Sequence, residues 1–170
     1  MLIAAVAALL DRELRTLRRE VEAYPDDGAI WKAVPGISNP AGTLVLHLTG
    51  NLQHYVGALL GATGYVRDRA AEFARRDVPR SELLGQIEAA RSAVRKGLSG
   101  IGDRQLAAEF PEPVGGVRLA TGQYLLHLTT HLAYHLGQID YHRRIVTGSA
   151  TSVSPVRAAE LSTARSPGSA

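Results

Sequence analysis

The sequence predicts an all-α protein, a four-helix bundle with long connections between helices 1 and 2 and between helices 3 and 4. Three observations predict it. Apolar residues recur at helical steps in four separate segments. No segment shows the strict alternation of a half-buried strand. The composition, 45% apolar and 21% charged over 170 residues, suits one folded domain with a sizeable core.

The first helix spans about residues 3–23. Leu10, Leu14, Leu17, Val21 and Tyr24 follow one another at steps of 4, 3, 4 and 3, a narrow apolar seam. Pro25-Asp-Asp-Gly28 ends it. A connection then carries Trp31 and a turn at Pro35-Gly36. Asn39-Pro40 reads as a helix start, with Asn as N-cap and Pro at the first helical position. The second helix runs to about Leu60 on a seam of Leu44, Leu48, Leu52, Tyr55 and Leu59, and Gly61 to Gly64 stops it.

The charged stretch Arg67–Phe73 is a connection with room for a turn of helix. Ser81 caps the third helix, whose seam is Leu84, Ile87, Ala90, Val94 and Leu98, ending near Gly97 and Gly100. The stretch 102–120 is a long connection with a short hairpin or helical turn near Leu106–Phe110. Thr121 caps the fourth helix, and Gly148 ends it. Residues 1–148 therefore form the bundle. Residues 149–170, rich in small polar residues, form a flexible tail.

Composition excludes several functions. There is no cysteine, so disulfides, iron–sulfur clusters and a cysteine nucleophile are out. The apolar start, Met1–Leu10, lacks a basic flank and is too short for a bilayer, which needs ~20 residues. The expectation is a cytoplasmic protein with no membrane contact. The net charge is +3, and Arg12, Arg15, Arg18 and Arg19 alternate with Glu13, Glu20 and Glu22. That is a solvated helix face, and the 5% aromatic content disfavours a base-stacking surface, so no nucleic-acid partner is expected.

The histidines carry the chemistry. His127, His131, His135, Gln138 and His142 lie at steps of 4, 4, 3 and 4 on the fourth helix; His47, Asn51 and His54 lie at steps of 4 and 3 on the second. Such steps hold side chains on one stripe. Facing stripes of imidazoles are how a bundle builds a metal site. Two histidines at i and i+4 can reach one ion, which fits His131 with His135 and equally His127 with His131. His47 is the best third arm, with His54 as the alternative. Metallopeptidases add a glutamate beside the first histidine, but Leu132 follows His131, Asp140 turns off the stripe, and residues 40–60 contain no acid. Three neutral imidazoles would leave the ion its full charge, favouring hydroxide, carboxylate or thiolate as the further ligand.

Trp31, Pro35-Gly36, Asn39, Leu44-Val-Leu-His47-Leu-Thr-Gly-Asn51-Leu, Arg67–Phe73 and His131-Leu-Ala-Tyr-His135-Leu-Gly-Gln138-Ile together resemble the DinB-like (DinB/YfiT) superfamily over about residues 10–148. The resemblance implies a four-helix bundle with nickel or zinc on three histidines, here His47, His131 and His135, and commonly a homodimer. It leaves His54, His127 and His142 as pocket residues, and Asn51 and Gln138 to orient ligands or substrate. It also implies a small-molecule substrate and, from thiol S-transferases and a mycothiol-dependent isomerase, activation of a low-molecular-weight thiol or of water. A non-catalytic metal-stabilised bundle or stress-linked binding protein is the alternative. Arg67–Phe73 reads as a surface salt-bridge cluster in preference to a cradle for an anionic thiol.

Overall fold

The computed structural model describes residues 2–165. Its described residues contain no strand, only three isolated β-bridges in the connections, so the all-α class holds. The helices are α1 (Leu2–Glu22), α2 (Asp27–Trp31), α3 (Ala41–Leu52), α4 (Leu59–Gly61), α5 (Arg69–Ala74), α6 (Arg80–Leu98), α7 (Asp103–Ala107) and α8 (Thr121–Thr147). A π-helical segment, Gln53–Ala58, joins α3 to α4. The short helices α2, α5 and α7 occupy connections that periodicity alone leaves open, because five or six residues are too few to show a helical period.

The packing order follows from the apolar faces. α1 lies against α6 and α8, and α3 lies against the same two helices from the other side. α1 buries the predicted seam: Leu10, Leu14, Leu17 and Val21 are fully enclosed. α3 is different, because every one of its residues is buried. Its sequence, AGTLVLHLTGNL, is apolar or small nearly all round and carries no charge, so it can sit at the centre. Each fully buried leucine contributes roughly 1.5–3 kcal/mol. The central position of α3 also puts His47 and Asn51 out of water.

Helix ends shift by one residue from expectation. Pro40 rather than Asn39 caps α3, and α6 and α8 begin at Arg80 and Thr121. Gly148 ends α8 in the left-handed conformation, with φ 69°, as its position after Thr147 predicts.

The stretch expected to be a tail lies against the body over residues 151–160. Val156 is 3% exposed, its N–H donates to Thr16 Oγ1 at 3.2 Å, and Arg143 and Arg19 donate to the Thr151 and Val153 carbonyls. Among the described residues no helix is long and apolar enough to cross a membrane.

Candidate metal centre

α3 and α8 bring the predicted residues together. His47, His131 and His135 each offer a ring nitrogen, and these atoms lie within 4.8 Å of one another. His47 Nε2 and His131 Nε2 are 3.4 Å apart. Two nitrogens so spaced suit two ligands of one tetrahedral ion with bonds of ~2.0–2.1 Å. The His131 and His135 rings meet edge to face with centroids 4.6 Å apart, and His47 stands edge-on to both.

The far side of two rings is tied down. His135 Nδ1–H donates to Gln138 Oε1 at 2.7 Å, one turn further along α8. His47 Nδ1–H donates to Glu72 Oε2 at 3.0 Å. Each bond sets the tautomer that leaves Nε2 with its lone pair free, the state a metal requires.

Glu72 is the functional residue that the sequence reading missed. The absence of acids near the histidines holds along the chain and fails in space, because α5 folds back onto α3. Asp68 and Arg69 of the Arg67–Phe73 stretch are exposed, but Arg67 and Glu72 turn inward. Glu72 is buried, and Arg67 grips it with Nε to Oε1 at 2.6 Å and a second nitrogen to Oε2 at 2.9 Å. Phe73 packs on the His47 ring at 5.0 Å. Gly50 makes room, since a Cβ there would lie 2.3 Å from Glu72 Oε1. The local signal was Asp68, which caps α5 by accepting from the Ala71 N–H and so starts a helix in a charged stretch.

Electrostatics favours neutral rings and an ionised acid. Burial, reinforced by His135, His47, His127 and Arg67, pushes the His131 pKa down to about 4. Burial also lowers that of His135, against the opposing effect of its hydrogen bond to Gln138. Burial alone would raise the Glu72 carboxyl, but hydrogen bonds from Arg67 and His47 outweigh it and hold it below the ordinary range.

A model of the DinB superfamily matches residues 9–139. The chain belongs to the DinB superfamily. A search of curated proteins finds no match. The DinB superfamily match takes in both arms of the histidine cluster, along with Arg67, Glu72 and Gln138, and stops short of His142.

The other stripe residues separate from the cluster. His142 is 1% exposed, its Nε2–H donates to the Lys32 carbonyl at 2.9 Å, and its Nδ1 accepts from the Tyr24 hydroxyl at 2.7 Å. It ties α8 to the end of α1 and is not a pocket residue. His54 lies in the π-helical segment, whose wider turn carries it off the stripe toward Glu112 Oε1 at 3.1 Å. His127 is exposed and stacks between Tyr124 and His131. Asp140 pairs with Arg143 and Arg144 on another face, as its spacing predicts.

Beside Gln138, a cavity of about 230 Å³ is lined by Gly36, Ser38, Asn39, Leu44 and Tyr141. The Pro35-Gly36 turn, with Gly36 at φ 81°, shapes its rim.

Proposed function

We propose that this chain is a divalent-metal-dependent enzyme built on a DinB-type four-helix frame. In this reading His47, His131 and His135 hold zinc or nickel, and a low-molecular-weight thiol or water is activated for transfer to a small-molecule substrate. The observation that carries it is the pair of Nε2 atoms 3.4 Å apart, with the opposite Nδ1 of His47 and of His135 already committed to acceptors. An ion held by these three imidazoles would supply a Lewis acid able to acidify a thiol or water toward neutral pH.

The protein's own part is positioning. Glu72 fixes the His47 ring and its tautomer, and Arg67 keeps Glu72 ionised. Gln138 does the orienting for His135. The single anionic partner of the set sits behind His47, which supports an open position that favours an anionic ligand.

The non-catalytic alternative needs a fourth protein ligand. Among the described residues the cluster comprises three histidines, and His54 is engaged by Glu112, which supports the open, reactive reading. Elemental analysis of tag-free protein tests it. One equivalent of zinc or nickel is expected, with His131→Ala losing it; a metal content that stays low after reconstitution, with His131→Ala indistinguishable, refutes the reading.

The homodimer belongs to the same proposal. Tyr134, Tyr141 and Ile145 leave an exposed apolar stripe along α8 at steps of 7 and 4. Light scattering should give twice the monomer mass, and Tyr141→Glu should halve it.

A further inference from the structure

The cavity of about 230 Å³ beside Gln138 adjoins the histidine cluster, yet none of the three histidines lines it. α3 and α8 run antiparallel: His47 meets His131, and Tyr55, later in the chain, meets Tyr124, earlier in α8. Leu44 stands three residues before His47, and Gln138 stands three after His135. Both therefore lie on the same side of the cluster, about one helical turn away. Leu44 is buried and, with Ile37 and the Tyr141 ring, gives the cavity apolar surface. The rim is a closed turn. Pro35 and Gly36 occupy its middle, Gly36 has φ 81°, and the Ile37 N–H donates to the Val34 carbonyl at 3.0 Å.

The polar groups on the wall have capacity to spare. Asn39 precedes α3 as a capping residue should, but Pro40 holds the cap position and no side chain caps that helix. Asn39 Nδ2 donates instead to Ser38 Oγ at 3.4 Å. That leaves Asn39 Oδ1 as an acceptor and the Ser38 O–H as a donor. Gln138 spends its Oε1 on His135 and keeps its N–H donors. No acidic or basic side chain lines the cavity. An ion entering it would lose water without meeting a counter-charge.

We propose that this cavity is a binding site for a single uncharged ring carrying a carboxamide. The carboxamide oxygen accepts from the Ser38 O–H or the Gln138 N–H, and its own N–H donates to Asn39 Oδ1. The ring packs against Leu44, Ile37 and Tyr141. The size fits, because a cavity of about 150 Å³ holds a benzene and the remaining volume takes the amide. This site does not depend on the proposed metal-dependent function; Gln138 links the two.

The zinc-loaded full chain, isotope-labelled for NMR, provides the test. Benzamide is the probe. Benzamidine is the control, with the same shape but a positive charge and donors only. Each is titrated while backbone amide shifts are read. Benzamide should saturate with a Kd of about a few millimolar, the range for a ligand of its size, and move the amides of residues 36–39, Leu44 and Tyr141. Benzamidine should bind at least about tenfold more weakly. Ser38 is exposed and outside the helices, so substitution there should leave the melting temperature unchanged. Ser38→Ala should weaken benzamide roughly three- to tenfold, and Ser38→Trp should abolish its binding by filling the space. Benzamidine binding as tightly as benzamide overturns the proposal. So do shifts that saturate elsewhere on the chain, or wild-type benzamide affinity in Ser38→Trp. A chain that takes up no zinc sinks the metal reading alone, and the same titration on that chain still decides this one.

Discussion

Glu72 shows how one side chain outside the ligand set governs it. It accepts from His47 Nδ1–H and is held by Arg67, with both side chains nearly enclosed. Glu72→Gln keeps the shape but removes the charge, so metal affinity should fall about 10–100-fold, read by competition with a chelating dye. It also leaves the Arg67 guanidinium buried without its anion, and the metal-free protein should lose on the order of 3–5 kcal/mol in urea unfolding. His131 supplies the pH dependence. The unfolded chain takes a proton there below about pH 6.5, whereas the folded chain does so only near pH 4. Between those values the unfolded state binds more protons, so stability rises with pH and is lost as pH falls. The melting temperature of the metal-free protein should drop from pH 6.5 toward pH 4. In His131→Ala that slope should be shallower, and an identical slope would contradict the assignment.

At the level of elements, glycines set the distances between helices. Gly97 of α6 lies so close to the π-helical segment that a Cβ would stand 2.2 Å from the Val56 carbonyl oxygen. Gly97→Ala should therefore destabilise the fold by about 1–3 kcal/mol, measured by chemical unfolding, because the obstacle is backbone and cannot rotate away. Gly50→Ala should act differently. Its new methyl meets the movable end of Glu72, so the carboxylate shifts and metal affinity should fall more than stability does. Equal losses in both would argue that Glu72 does not orient His47. The π-helical segment marks the limit of periodic reasoning. The step from His47 to His54 keeps one face in a regular helix, but the wider turn brings Tyr55 onto that line instead.

On the scale of the whole molecule, residues 151–160 close over α1 and α8. Val156 is buried there, Thr16 accepts its N–H, and Arg15 pairs with Glu160. Beneath them Arg143 and Glu20 form a buried ion pair at 2.7 Å. A chain ending at residue 150 should lose about 1.5–3 kcal/mol, the value of one buried aliphatic side chain, seen as a lower melting temperature. Cobalt binding should not change, since the histidine cluster lies on the opposite side of α8 from α1. A truncation that also released the metal would show that the segment supports the site through α8.

Helical periodicity was enough to predict the all-α class, the four long segments and two histidine stripes, from which the family resemblance singled out His47, His131 and His135. Each of those rests on local rules: a stripe at steps of three and four needs only one helix to define it. The facing of α3 and α8 was a further step, and the match of both halves to one family pattern supported it. Three things needed the tertiary structure. Glu72 reaches His47 across 25 residues because α5 folds back onto a glycine of α3, and no local pattern encodes that return. His142 leaves the stripe's chemistry because the Lys32 carbonyl and Tyr24 happen to meet it in the core. Asn51 sits on the predicted stripe, but that its Oδ1 is enclosed and unpaired follows only from how α3 packs. Spacing along a helix says which side chains share a face; what stands opposite them depends on how distant segments pack.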